Sequence, residues 1–242
     1  MSVQLKGRAE AITIQWIPKY TTLERLGHWL HVATFIPLAL TGMVLYFPFL
    51  QPLAQGSAGM TFRLIHRVAA VIFGLLPIIY FIFQPRRFLM HIREFLPAKE
   101  DIGWLKAVPA YYLLGKHEAM PPQGRFNAGE KLNGLVMIIT WVIFGLTGVP
   151  MWFGKGVIPP EVFRWLVVFH DLAMIAAVCM FLIHLYLAVA HPLMWGALVS
   201  MRFGVISAEY AAEHHAKWYY GPKRAMEIWE ARKREAAQKG GH

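Results

Sequence analysis

The sequence predicts an all-α integral membrane protein, a bundle of four transmembrane helices enclosing two stacked cofactor sites. Three observations carry this. Of 242 residues, 57% are hydrophobic, 14% aromatic and only 16% charged, the balance of a membrane protein rather than a soluble globule. Four apolar runs are each long enough to cross roughly 30 Å of hydrocarbon. The last of them, with the core VVFHDLAMIAAVCMFLIHLYLAVA, carries two histidines, His170 and His184.

Those histidines are 14 residues apart. At about 100° per residue that interval closes to within about 40° of whole turns, so both rings leave one side of the helix. Along the axis they stand about 21 Å apart, one towards each membrane surface. An imidazole in lipid is costly without a partner, and intramembrane ionisable residues mark functional sites by default.

The chain reads as a single membrane domain, residues 1–242. Residues 1–25 bring Lys6, Arg8, Lys19 and Arg25 ahead of the first apolar run and have no signal-peptide pattern. The first span is 26–50, with Pro37 placed to kink it. A short Gly/Ser/Gln link leads to the second span, 61–83. The loop 84–131 is polar and aromatic, and its stretches FLMHIREFL and WLKAVPAYYLL are expected at the membrane interface. The third span is 132–154, and the turn KGVIPP leads to the fourth, 161–192. The tail 195–242 is basic and includes KRAMEIWEARKREAAQK, expected as an exposed helix. The single cysteine, Cys179, leaves no set for disulfides, an iron–sulfur cluster or structural zinc.

Lys and Arg number 4 before the first span, 8 in the 84–131 loop and 8 in the tail, against 2 around each short connection. The positive-inside rule then places both termini and the long loop in the cytoplasm. The net charge of +10 is thereby topology signalling, and nucleic acid is not an expected partner. With this orientation His28 and His31 lie near the cytoplasmic face, His66 near the outer face, His170 outside and His184 inside. Depth matching pairs His66 with His170, and His28 or His31 with His184. Bis-imidazole ligation between facing helices suits low-spin haem b, held without covalent attachment because no Cys-x-x-Cys-His occurs. Gly42, Gly134 and Gly148 repeat the 14-residue interval and serve either a cofactor layer or helix packing. Arg63, Arg67 and Arg25 are placed to pair with propionates or to anchor the interface. His91, His117, His191, His214, His215 and His242 read as solvated surface residues.

The stretches ERLGHWLHVATFIPLALTG, RLIHRVAAVIFG, RFNAGEKLN, LVVFHDLAMI, FLIHLYLA and HHAKWY resemble, in order and over nearly the whole chain, the cytochrome b (gamma) subunit of membrane-bound respiratory formate dehydrogenases. The resemblance implies two b haems with His28, His66, His170 and His184 as axial ligands, and so chooses His28 over His31. It further implies a quinone beside His184, using the loop residues Asn127, Ala128 and Gly129. Glu130 or Lys131 is available to handle protons there. Asn127 with Glu130 also fits a helix capping box, and both roles are compatible.

The implied function is electron transfer, from an iron–sulfur (beta) partner outside, through two haems, to quinone at the cytoplasmic face of a bacterial inner membrane. Formate oxidation belongs to a molybdenum or tungsten catalytic (alpha) partner. The alternatives are the cytochrome b subunit of a hydrogenase or thiosulfate reductase, a stand-alone cytochrome b561-like oxidoreductase, and a haem-free anchor or transporter.

Overall fold

A computed structural model describes residues 14–239; Lys6, Arg8 and His242 lie outside them, and the side chain of His117 is likewise not described. In chain order the elements are β1 (Trp16–Pro18), α1 (Thr22–Tyr46), α2 (Gly56–Phe83), α3 (Pro85–Phe95) and α4 (Lys99–Leu114), then α5 (Ala128–Phe153) and α6 (Pro160–Leu185). The remainder comprises α7 (Trp195–Phe203), β2 (Val205–Ser207), α8 (Ala208–His214), α9 (Ala216–Tyr220) and α10 (Pro222–Lys239). Among the described residues α1, α2, α5 and α6 are long and apolar enough to cross a membrane. This is the expected four-helix membrane bundle.

The boundaries differ from the apolar runs for local reasons. α1 begins at Thr22 and α5 at Ala128, each about a turn ahead of its run, because each has a capping box. At α1 the Thr21 hydroxyl accepts from Glu24 N–H and the Glu24 carboxylate accepts from Thr21 N–H. At α5 Asn127 and Glu130 exchange the same two bonds at 2.9 and 2.8 Å. α1 ends at Tyr46 and runs uninterrupted through Pro37; the segment to Leu50, expected as span, is part of a 3₁₀ turn, Pro48–Ala54. α6 widens after Leu185 into one π-helical turn, Tyr186–Ala190, closed by His191 N–H donating to the Tyr186 carbonyl, and Pro192 then stops it.

α1 packs along α2 and α5 along α6, while the two hairpins meet chiefly through α1 and α6. The buried centre is small: Phe35, Phe73 and Ala177, with Phe144, Phe181 and Trp141 against them. Leu40, Leu64, Phe83, Leu146, Phe153 and Leu182 remain exposed on the outside of the bundle. An apolar outer surface of this kind suits a bundle set in lipid, whose tails are as apolar as leucine.

All other described elements except the Pro48–Ala54 turn gather at one end. β1 pairs antiparallel with β2, with Ile17 opposite Ile206, and Lys19 and Tyr20 N–H donate to the Gly204 carbonyl at 2.8 and 3.1 Å. Gly204 has φ +84°, and a Cβ there would lie 2.8 Å from the Tyr20 carbonyl oxygen. Arg125 ties the pieces together. It donates to Glu24 of α1 at 2.7 Å, Glu94 of α3 at 3.1 Å and the Lys19 carbonyl at 2.9 Å. His91 also bonds Glu24, at 2.7 Å, so it is an interior partner and not the solvated residue expected. The tail helix α10 is less exposed than expected: Ala225 is buried and Trp229 donates to the Glu118 carbonyl.

Candidate functional site

Two pairs of imidazoles span the gap between the hairpins. His28 of α1 and His184 of α6 have ring centres 6.3 Å apart with planes at 71°. His66 of α2 and His170 of α6 have centres 6.4 Å apart with planes at 51°. α6 supplies one ring to each pair, which the 14-residue interval on one face allows.

Between the pairs lies the apolar layer. Phe35 follows His28 by seven residues, Phe73 follows His66 by seven, and Ala177 is seven from both His170 and His184. Phe35 rests against Phe181 at 5.1 Å and Phe73 at 6.3 Å between centres. His31 belongs to this layer. Its Nδ1 donates to the Gly27 carbonyl at 2.9 Å and its ring meets the edge of Phe73 at 5.3 Å. The structure therefore brings His28, and not His31, opposite His184.

The donors and spacing of both pairs can be set against a metal. Two imidazoles sharing one iron, with bonds of about 2 Å and bonding nitrogens about 1.1 Å from the ring centres, would have those centres about 6.2 Å apart. The separations of both pairs match that span. Two of the three glycines at the 14-residue interval also stand beside a ring. A Cβ at Gly148 would lie 3.4 Å from His170 Cε1, and one at Gly42 would lie 3.8 Å from His66 Cε1 and 3.2 Å from Met174 Sδ. Gly134 does not belong with them. A Cβ there would meet the Phe95 ring at 2.6 Å, so its smallness admits α3 onto α5.

Two residues of the site escaped the sequence reading. Thr41 and Thr147, both buried, place their hydroxyl oxygens 2.8 Å from Nδ1 of His66 and His170 respectively. The signal was present: the tripeptide Leu-Thr-Gly occurs at 40–42 and again at 146–148. The arginines placed to pair with propionates or to anchor the interface each have a protein contact. Arg25 donates to the Arg202 carbonyl at 2.6 Å, Arg63 to the Ala54 carbonyl at 3.0 Å, and Arg67 lies over the Trp152 ring.

A model of the prokaryotic cytochrome b561 family matches residues 19–204. The chain belongs to the prokaryotic cytochrome b561 family. Among curated proteins it is similar to the nitrate-inducible formate dehydrogenase cytochrome b556(Fdn) subunit of Escherichia coli (strain K12), 31% identical over 87% of this chain and 92% of that one. It is also similar to the formate dehydrogenase cytochrome b556(fdo) subunit of the same organism, at 28% over 87% and 95%. The Haemophilus influenzae formate dehydrogenase cytochrome b556 subunit is 26% identical over 84% of this chain and 82% of its own.

Within this b561 chain the Asn127–Gly129 turn is a covered helix start. Asn127 Oδ1 accepts from Glu130 N–H, Ala128 N–H donates to Gln123 Oε1 at 3.0 Å, and Gly129 sits beneath the Trp104 ring. Glu130 lies within electrostatic reach of His184, Lys19 and His215. His215, expected on the surface, is 1% exposed; its Nδ1 donates to the Gly124 carbonyl at 3.0 Å and its Nε2 accepts from Lys19 Nζ at 2.8 Å. Burial, with the Lys19 ammonium beside it, holds its pKa down at about 3. Burial likewise lowers Lys19, opposed by Glu130. His214 stacks on Tyr210, and His191 meets the Tyr112 ring edge-on, so neither is the solvated residue expected. Sequence position near the tail said nothing of this packing.

Proposed function

We propose that this chain is the cytochrome b subunit of a respiratory formate dehydrogenase, passing electrons from an iron–sulfur partner to quinone across a bacterial inner membrane. The observation that carries the reading is the pair of cross-hairpin imidazole sets, one towards each end of the bundle. Similarity to three formate dehydrogenase cytochrome subunits over most of both chains supports formate dehydrogenase as the complex. The charge distribution supports termini, long loop and tail in the cytoplasm, which makes the His66–His170 set outer and the His28–His184 set inner.

His66 and His170 would hold one b haem and His28 and His184 the other. Haem b bound there would supply one-electron transfer. The chain's own residues do the rest. Phe35, Phe73 and Phe181 keep water from the space between the sites. At the inner end a quinone would sit beside His184 and the Asn127–Gly129 turn. Because Asn127 Oδ1 is occupied by the cap, the group it offers a quinone carbonyl is the amide Nδ2. Glu130, coupled electrostatically to His184, Lys19 and His215, is a carboxylate there that could take or release a proton. The formate chemistry belongs to a molybdenum or tungsten partner.

The test is purification from membranes in mild detergent, with haem and subunits quantified together. The expected result is two b haems per chain, reduced on adding formate, with an iron–sulfur and a molybdopterin or tungstopterin subunit co-purifying. Absence of a reduced b-type α band would rule out the cytochrome reading. A hydrogenase or thiosulfate reductase partner would keep the fold and change the complex.

A further inference from the structure

The outer pair is built twice from the same parts. On α1, Leu40-Thr41-Gly42 lies against His66 of α2; on α5, Leu146-Thr147-Gly148 lies against His170 of α6. In each case the threonine hydroxyl contacts Nδ1 of the ring at 2.8 Å and the adjoining glycine leaves space beside Cε1 of that same ring. Each hydroxyl is also committed elsewhere. Thr41 Oγ1 donates to the Pro37 carbonyl at 2.6 Å, and Thr147 Oγ1 donates to the Ile143 carbonyl at 2.6 Å. A hydroxyl has one proton to give. With that proton on a backbone carbonyl, the oxygen can only accept from the imidazole, so Nδ1 carries the hydrogen and Nε2 keeps its lone pair.

We propose that Thr41 and Thr147 are positioning residues of the outer site, each fixing the tautomer and rotation of the histidine on the neighbouring helix so that both Nε2 atoms are ready to bind iron. This rests on the reading of the pair as haem ligands. The N–H donated to an oxygen makes the ring a better electron donor, which favours oxidised iron. A hydroxyl already polarised by its own bond to a carbonyl accepts more strongly. The clamp therefore lowers the potential of the outer site and tightens its hold on haem. Neither threonine reaches His28 or His184, so the inner site is indifferent to both.

The experiment is a spectroelectrochemical titration of the full chain, in its complex, for wild type, Thr41→Val, Thr147→Val and the matching serine variants. Valine keeps the shape and removes the acceptor. The expected result is that one of two b components, the one absent in His170→Ala, moves to higher potential by about 59 mV, a tenfold change for a one-electron couple, or holds haem about tenfold more weakly. The other component stays in place, and serine restores the wild-type value. If valine moves neither component or both, or if serine fails to restore the shift, the clamp is overturned. A wild-type preparation with no b-type spectrum would instead overturn the haem reading and the clamp with it, so the two failures are told apart.

Discussion

His28 and His184 face one another with ring centres 6.3 Å apart, on the first and last membrane helices of the chain. His31, one turn on, has its Nδ1 bonded to the Gly27 carbonyl and its ring set on Phe73. Replacing His28 or His184 by alanine should remove one of two haems per chain, and His31→Ala should leave both. Haem per protein, measured on purified variants, decides. Loss of the inner signal in His31→Ala alone would reverse the assignment.

Asn127 is asked to do two things, and substitutions separate them. Asn127→Ala removes the cap of α5 and should cost about 1 kcal/mol of stability. Asn127→Ser keeps a capping oxygen but has no amide to offer a quinone, so stability should hold while quinone reduction falls and both haems remain formate-reducible. Normal quinone turnover in the serine variant would leave Asn127 as a cap alone.

The tail should respond to acid through His215. An ordinary histidine titrates near 6.5, whereas this one is held at about 3 by burial and Lys19. The unfolded tail therefore takes up a proton below 6.5 that the folded tail refuses. Stability from this group is full above about 6.5 and is lost as pH falls towards 3, by up to about 1.4 kcal/mol per pH unit. The charged and titratable groups around it are Lys19, Glu130 and His214. Hydrogen-exchange protection over 205–220, corrected for the intrinsic rate at each pH, should fall from pH 7 to pH 4.5 in the native chain and change less in His215→Gln. Equal protection at both pH values would refute the mechanism.

β1 pairs with β2 and Arg125 bonds Glu24, so the N-terminal segment, the loop before α5 and the tail share one end. In the orientation proposed above, that end is cytoplasmic. A reporter fused after residue 242 should be active only in its cytoplasmic form. Activity of a periplasmic reporter there would exchange the inner and outer sites and move quinone reduction outside.

Much of the architecture was legible because length, hydropathy and charge are properties of single segments. Four apolar runs and their flanking Lys and Arg name the spans, and helical periodicity puts His170 and His184 on one face. Depth then limits which histidines on other helices meet them. What one segment cannot reveal is which neighbour covers it. His28 and His31 share a broad face, and only the angle at which α1 crosses α6 sets one opposite His184. Gly134 has the interval of a cofactor glycine, yet α3 folds back and Phe95 fills the space. His215 sits in a polar tail and is buried because β1, the loop at Gly124 and Lys19 close over it from elsewhere in the chain. Thr41 and Thr147 look like ordinary helical threonines until α2 and α6 bring an Nδ1 to each. A hydrogen bond or a close approach between distant segments depends on crossing angle and depth to within an ångström, which tertiary packing sets and local pattern does not encode.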